Sequence, residues 1–357
     1  MHGGGAPALL AAALAVGCAT EPDPVYRAQA DGAMAALDLM YLEGVGLFGF
    51  AWWNSANALE TTIDYIAETG NDDYLTIIGN SFEVNAAGRG VNPTPNFINQ
   101  LYDDEAWWAL TWIEAYDLTG EARYLEMAQT IFDDLAGGWD DTCGGGVWWS
   151  KDRDYKNAIT NELFLTAAAR LHRRTSAGGE STVYLDWADR TWAWFAASGM
   201  INGDHLVNDG LTDDCRNNGQ TAWTYNQGVI LGALAEMFEI TGDEVYLTRA
   251  EAIADAAMRE LVTPRGILSE PCEPDCDGNG AQFKGIFMRN LARLHEVAPA
   301  ARYRDFIERN ADSIREQATS PHHEIGLLWD APFDAADPIR QSSGLDAVVA
   351  ALRVTRD

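Results

Sequence analysis

Leu118-Thr119-Gly120-Glu121-Ala122-Arg123-Tyr124-Leu125 and Ile240-Thr241-Gly242-Asp243-Glu244-Val245-Tyr246-Leu247 carry the same structural signal at two distant points of the chain. Each closes an apolar helical run with Thr-Gly, where glycine just past the end is a favoured cap, and each restarts on a Tyr-Leu pair. The plan recurs at Glu68-Thr69-Gly70-Asn71-Asp72-Asp73-Tyr74-Leu75, between Thr175 and Tyr184-Leu185, and at Val297-Ala298-Pro299-Ala300-Ala301-Arg302-Tyr303. A short turn between two helical periods is a helical hairpin, and recurrence of the hairpin along the chain is a repeat.

The two helices of each hairpin differ in kind. Those before the turns, at 106–116, 161–171 and 228–240, are apolar on most faces, as a covered inner position requires. Those after the turns, at 124–135 and 246–261, are amphipathic, as an outer layer requires. Five hairpins are complete. Residues 26–42 read as an outer helix without its partner, and residues 343–354 as an inner helix without its own. Joining the two ends completes a sixth hairpin. The predicted fold is therefore all-α, an (α/α)6 barrel of six helical hairpins formed by one domain over residues 25–357. An open solenoid is the alternative, and the matching orphan helices argue against it. In a closed ring the connections that precede the inner helices gather at one mouth. Those at 91–104, 137–161, 199–227 and 263–284 are the long ones, where functional residues are expected.

Charge and cysteine usage narrow the function. Of 357 residues, 54 are acidic and 24 basic, for a net charge of −30, so phosphate-rich partners are excluded and no nucleic acid is expected. Thirteen Trp exceed what core filling requires and lean toward carbohydrate faces. Residues 6–16 are apolar and small, too short to span a bilayer, and end in Ala15-Val16-Gly17-Cys18, although Met1-His2 before them carries no Lys or Arg. Residues 1–18 read as a lipoprotein-type signal peptide with lipidation at Cys18, and residues 19–24 as a tether. The expected location is outside the cytoplasm: lipid-anchored at the cell surface or the periplasmic face of a membrane, otherwise secreted. A monomer is expected, touching the membrane surface only through the anchor. Cys143, Cys215, Cys272 and Cys276 remain, an even number suited to disulfides in an exported protein. Cys272 with Cys276 and Cys143 with Cys215 is the preferred pairing among three connectivities. His172, His205, His322 and His323 show no ligand spacing, so no metal or other cofactor is expected.

At the start of the second inner helix stands Tyr102-Asp103-Asp104-Glu105-Ala106-Trp107-Trp108. Acid chemistry on a sugar needs two carboxyl groups in different protonation states, and consecutive residues at a helix entrance supply two. Aspartate before an apolar run is also a common helix cap, and Asp133-Asp134 and Asp140-Asp141 show how frequent the dipeptide is here. What distinguishes Asp103-Asp104 is its place at the mouth, beside Trp107 and Trp108.

In order along the chain come Asp103-Asp104-Glu105-Ala106-Trp107-Trp108, Cys143-Gly144-Gly145-Gly146-Val147-Trp148-Trp149, Tyr155-Lys156-Asn157-Ala158-Ile159-Thr160-Asn161-Glu162-Leu163, Trp223-Thr224-Tyr225-Asn226-Gln227-Gly228, Glu270-Pro271-Cys272 and Gln282-Phe283-Lys284-Gly285-Ile286-Phe287. In this order the chain resembles glycoside hydrolase family 76, the bacterial and fungal endo-α-1,6-mannanases, from about Trp52 to Asn290. The resemblance implies an (α/α)6 barrel, retaining hydrolysis of α-1,6-mannosidic bonds in mannan backbones, Asp103 as nucleophile and Asp104 as general acid/base. A retaining pair stands about 5–5.5 Å apart. The helix N-terminus should keep Asp103 ionised, and that charge should raise Asp104; Glu105 is a weaker competitor for the acid role.

Other mouth residues receive roles by chemical type. Trp107, Trp108, Trp148 and Tyr225 are candidates for stacking on sugar rings, or equally core residues. Asn157, Asn161, Asn226 and Gln227 are candidates for bonding sugar hydroxyls, or helix caps. Lys284, a cation at a helix start, calls for an acidic partner or a ligand. Asp209 reads as a turn residue ahead of a sugar clamp. The expected partner is α-mannan or a related mannose-containing glycan. Two alternatives use the same scaffold, a non-catalytic surface glycan-binding lipoprotein and a transglycosidase. A sugar epimerase is a weaker third, because such sites usually want histidine.

Overall fold

The computed structural model describes residues 23–175 and 181–356. The leader, the tether up to residue 22, Cys18 and part of the third hairpin turn lie outside the described residues. Among the described residues twelve α-helices alternate between two concentric layers. The inner layer is α2 (Trp52–Thr69), α4 (Tyr102–Thr119), α6 (Ala158–Thr175), α8 (Thr224–Thr241), α10 (Phe283–Val297) and α12 (Pro338–Val354). The outer layer is α1 (Pro24–Asp38), α3 (Leu75–Asn85), α5 (Ala122–Gly137), α7 (Ser181–Ala197), α9 (Glu244–Glu260) and α11 (Ala301–Ser313). Each inner helix packs against the next, and α12 packs against α10, α2 and α1, which closes the (α/α)6 ring.

The Thr-Gly turns work as their chemistry requires. Gly70, Gly120 and Gly242 adopt left-handed backbone with φ of 66°, 71° and 69°. Their N–H groups donate to the carbonyls of Ile66, Tyr116 and Phe238. The preceding hydroxyls of Thr69, Thr119 and Thr241 donate back to Tyr65, Ala115 and Met237 and accept the N–H of the second residue on, Asn71, Glu121 and Asp243. Helix end and chain reversal are thus encoded locally. The inner helices α4, α8 and α12 begin four or five residues before the expected 106, 228 and 343, whereas α1 stops short of the expected 42. It ends at Asp38, and residues 41–48 form a small antiparallel pair, β1 (Tyr41–Leu42) with β2 (Leu47–Phe48).

At the mouth, seven-residue hairpins recur at 201–207, 211–217, 262–268 and 319–325, each closed by an isolated antiparallel bridge. The second residue (Asn202, Thr212, Thr263 or Ser320) donates its N–H to the carbonyl of the sixth. The fifth (His205, Cys215, Gly266 or His323) has positive φ. Side-chain amides reach these elements from distant helices. Gln227 brackets the backbone of Val207, accepting its N–H at 2.7 Å and donating to its carbonyl at 2.9 Å. Asn161 brackets Val147 at 2.7 and 3.0 Å, and Asn310 and Gln341 accept the N–H groups of Leu268 and Ile325 at 2.8 and 2.7 Å.

The opposite end of the barrel is closed by ions. Arg170, Arg289, Arg293 and Arg353 project from the later turns of the inner helices among Glu60, Asp64, Glu68, Glu114, Glu236 and Asp346. Burial alone would raise Glu236, but Arg293, Arg170 and Arg173 outweigh it and hold its carboxyl at about 2. Two disulfides, Cys143–Cys215 and Cys272–Cys276, fasten mouth loops. No helix among the described residues is long and apolar enough to cross a membrane.

Candidate active site

The entrance of α4 is built by its neighbours. Asn99 accepts the N–H of Leu101 at 2.8 Å, and the N–H of Tyr102 donates to the carbonyl of Trp149 at 2.9 Å. This pins the first helical turn to the loop after α5 and aims Asp103 and Asp104 into a cleft of about 560 Å³. Asp103 accepts the N–H of Asp104 on one oxygen (3.0 Å) and the indole N–H of Trp149 on the other (2.9 Å). Asp104 accepts the Asn99 amide at 2.7 Å. The two carboxyl groups are therefore oriented by different donors.

Burial, then the adjacent Asp104, pushes the Asp103 carboxyl up, against the donors from Trp149 and the backbone. Burial pushes Asp104 up as well, opposed by Asn99. The expectation that only the second carboxyl rises is corrected: desolvation outweighs the helix N-terminus at both positions, and Asp103, beside the Asp104 charge, is raised further, to about 8 against about 6 for Asp104. The pair titrates as a unit and holds one proton toward neutral pH.

Aromatic rings wall the cleft. Trp53 stacks with Trp107 at 5.8 Å, and Tyr225 with Phe283 at 3.8 Å. Asn54, Asn157, Asn279 and Asp209 add polar groups to the lining. The Tyr155 hydroxyl donates to Asp209 at 2.5 Å and accepts from Asn218 at 2.8 Å. Gly210 must lack a side chain here, because a Cβ would stand 2.7 Å from the Tyr155 ring. Flat apolar faces beside carboxylates and amides suit a pyranose, with its apolar ring faces and equatorial hydroxyls.

Several expected contacts lie elsewhere. Trp108 is fully buried among Phe97, Trp112 and Trp52, so it is core. Trp148 points away from the cleft, donating to Asp140 at 2.8 Å with Lys156 over its ring; its neighbour Trp149 faces the aspartates instead. Asn161 and Gln227 are spent on the backbone of Val147 and Val207, and Asn226 is fully buried and does not line the cleft. Lys284 is also buried: it pairs with Glu273, donates to the Leu327 carbonyl at 2.8 Å and lies 4.3 Å from the Trp329 ring centre. Glu105 pairs with Lys151 at 2.9 Å and accepts the Asn99 N–H, bracing the loop rather than facing the cleft. Trp107, Asn157 and Tyr225 do line it, with Asp103 and Asp104. Among the described residues no cluster of His, Cys, Asp and Glu is arranged to hold a metal ion.

Replacing Gln227 by alanine should leave the Val207 N–H and carbonyl unpaired and lower unfolding stability by about 2–3 kcal/mol. Denaturant titration reads that loss. A rise in KM at unchanged stability would instead restore Gln227 to the substrate.

A toroid of helical hairpins with a carboxylate pair at its mouth is an architecture of glycoside hydrolases, and sequence comparison gives the same class. The chain matches the glycosyl hydrolase family 76 profile over residues 28–356 and belongs to that family. It is 28% identical over 345 residues to the mannan endo-1,6-alpha-mannosidase DFG5 of Candida albicans, covering 87% of this chain and 75% of that one. It is 29% identical over 315 residues to the mannan endo-1,6-alpha-mannosidase DCW1 of Saccharomyces cerevisiae, covering 81% and 69%. In structure it resembles the α-1,6-mannanase GH76A of Salegentibacter sp. HEL1_6, solved as an inactive variant with α-1,6-mannotetrose. The TM-score is 0.81 at 23% identity, over 92% of this chain and 98% of that one.

Proposed function

We propose that the cleft hydrolyses internal α-1,6-mannosidic bonds of mannan backbones with retention of configuration. The observation that carries this reading is the Asp103-Asp104 pair, oriented by separate donors, in a cleft lined by one continuous run of rings, Trp107, Trp53, Phe283 and Tyr225. Asp103, with an N–H on each oxygen, is the better oriented carboxylate and attacks the anomeric carbon. Asp104 gives its proton to the departing glycosidic oxygen. The result is a covalent glycosyl-aspartate and a released chain end. Asp104, now ionised, takes a proton from water, which displaces Asp103 and restores the pair. Asp209, Asn54 and Asn157 bond ring hydroxyls, and Trp53, Trp107 and Tyr225 pack on ring faces.

The test is incubation of the purified enzyme with linear α-1,6-mannan. A ladder of short α-1,6-linked oligosaccharides is expected. Products longer than the starting chains would mark transfer to a sugar acceptor, and bound but intact polysaccharide would overturn the catalytic reading. Turnover needs one proton on the pair. Below the window both carboxyls are protonated and the nucleophile is lost; above it both are ionised and the acid is lost. Because burial raises both groups, the acidic limb of the kcat/KM profile should lie above the ordinary carboxylate range of about 4. A limb at that ordinary value would contradict the buried pair. The same reading includes export as a monomer with a lipid anchor at Cys18; a palmitate-analogue label should be lost in Cys18→Ser, and its persistence there would refute the anchor.

A further inference from the structure

Beyond the Tyr155 ring lies a second cavity, of about 210 Å³, that the reaction above does not use. Tyr155 lines both spaces, so its ring is the partition between them. The partition is fixed in place, because the Tyr155 hydroxyl is held by Asp209 and Asn218. Cys143 and Leu211 also line the second cavity, and the Cys143–Cys215 disulfide ties the loop after α5 to the 211–217 hairpin. Trp148 forms a side of the pocket, its indole locked by Asp140 and Lys156. Thr212 and Asp213 supply a hydroxyl and a carboxylate around the opening, and Arg153 adds a guanidinium that also bonds Asp140 and the Gly137 carbonyl; all three residues are solvent-exposed. The two aromatic walls are thus tied down before any ligand arrives, which lowers the ordering cost of binding.

An indole and a phenol ring combined with a carboxylate, a hydroxyl and a guanidinium is the chemistry that recognises a neutral pyranose. The space suits one sugar ring. We propose that this pocket is a distal subsite for a single hexopyranosyl unit of the glycan, lying across Tyr155 from the units held beside Asp103 and Asp104. The inference rests on reading the main cleft as a mannan site. The extra unit has two possible sources, a further residue of the backbone or a branch carried by it, and both present the same ring to the pocket.

Asp213→Trp, at an exposed hairpin position, should fill the opening without disturbing the core, and Asp213→Ala should remove only its carboxylate. The test compares kcat/KM for wild type and both variants on linear α-1,6-manno-oligosaccharides of increasing length and on a branched mannan. Titration calorimetry of the same oligosaccharides runs in parallel. In Asp213→Trp the ratio of long-chain to short-chain kcat/KM should fall about tenfold, which corresponds to about 1.4 kcal/mol of binding. Asp213→Ala should show a smaller fall in the same direction. A fall confined to long linear chains identifies backbone extension; one confined to the branched substrate identifies a side branch. Equal values for wild type and Asp213→Trp at every length and branching state, or an equal loss on all substrates, would overturn the subsite. If wild type binds oligosaccharides with the predicted length dependence but cleaves none, the hydrolase reading fails and the subsite stands.

Discussion

Asp103→Ala is expected to lose at least about 10⁴-fold in kcat on every glycoside, because removing a nucleophile leaves no route to the covalent intermediate. The carboxylate it removes is the one held by the Trp149 indole and the Asp104 N–H, so its loss also frees two donors in the cleft. Asp104→Ala should behave differently. An activated aryl mannoside needs little help to release its leaving group, so the first step survives and the glycosyl-enzyme accumulates, for want of a base to activate water. Azide, which needs no base, should restore turnover in Asp104→Ala and yield the α-mannosyl azide. In Asp103→Ala azide takes the place of the lost carboxylate in a single displacement, so any turnover it restores on the aryl mannoside should yield the β-mannosyl azide. Steady-state rates on mannan and on an aryl mannoside, with and without azide, separate the two roles. The α-mannosyl azide from Asp103→Ala and the β-azide from Asp104→Ala would reverse the assignment, and full activity in Asp103→Ala would remove the site altogether.

Arg289→Met should lower unfolding stability by about 3–5 kcal/mol, the cost of leaving buried carboxylates without their cation. Arg289 is 6% exposed and reaches Glu60 at 3.0 Å, Asp346 at 3.2 Å and the Asn57 side chain, closing the barrel interior below the cleft. The pH dependence has a definite sign. Burial raises the Asp346 carboxyl to about 7 even with Arg289 opposing it. A raised acid binds its proton more tightly folded than unfolded, so its ionisation costs stability as pH rises. Losing Arg289 raises Asp346 further, so the variant's deficit should be largest above neutrality and shrink as pH falls and Asp346 is neutralised. Urea midpoints of wild type and variant across pH 5 to 8 read this directly, using the linear dependence of stability on denaturant. A deficit that does not change with pH would place the damage in packing rather than charge.

How much of this could be read from the sequence depends on the range of each interaction. The Thr-Gly turns are legible because a threonine hydroxyl, a glycine φ and a carbonyl four residues back lie within one helical turn. The ring followed from counting those turns and pairing the two end helices. Facing was harder. Helix α4 is buried nearly all round, so nothing in its pattern says that Trp107 looks into the cleft while Trp108 looks into the core. The Trp148–Trp149 choice turns on an extended segment whose register is set by distant bridges, Trp139 with Val147 and Leu101 with Ser150. Asn161 and Gln227 have the side chains of sugar ligands, and only the folded hairpins show that backbone groups claim them. For Lys284 the sequence leaves an acidic partner and a ligand both open, because the partner it has, Glu273, sits on a loop whose path is not local to the helix. Trp53 and Phe283 complete the aromatic wall, and only ring closure brings α2 and α10 close enough for the two rings to lie 6.2 Å apart.

The account stands or falls on the anomer first released from linear α-1,6-mannan, followed by proton NMR before mutarotation. Two displacements at one carbon, the first by Asp103 and the second by water activated at Asp104, predict that the new reducing end appears as the α-anomer and drifts toward equilibrium afterwards. Initial release of the β-anomer would mean a single displacement by water and would contradict Asp103 as nucleophile.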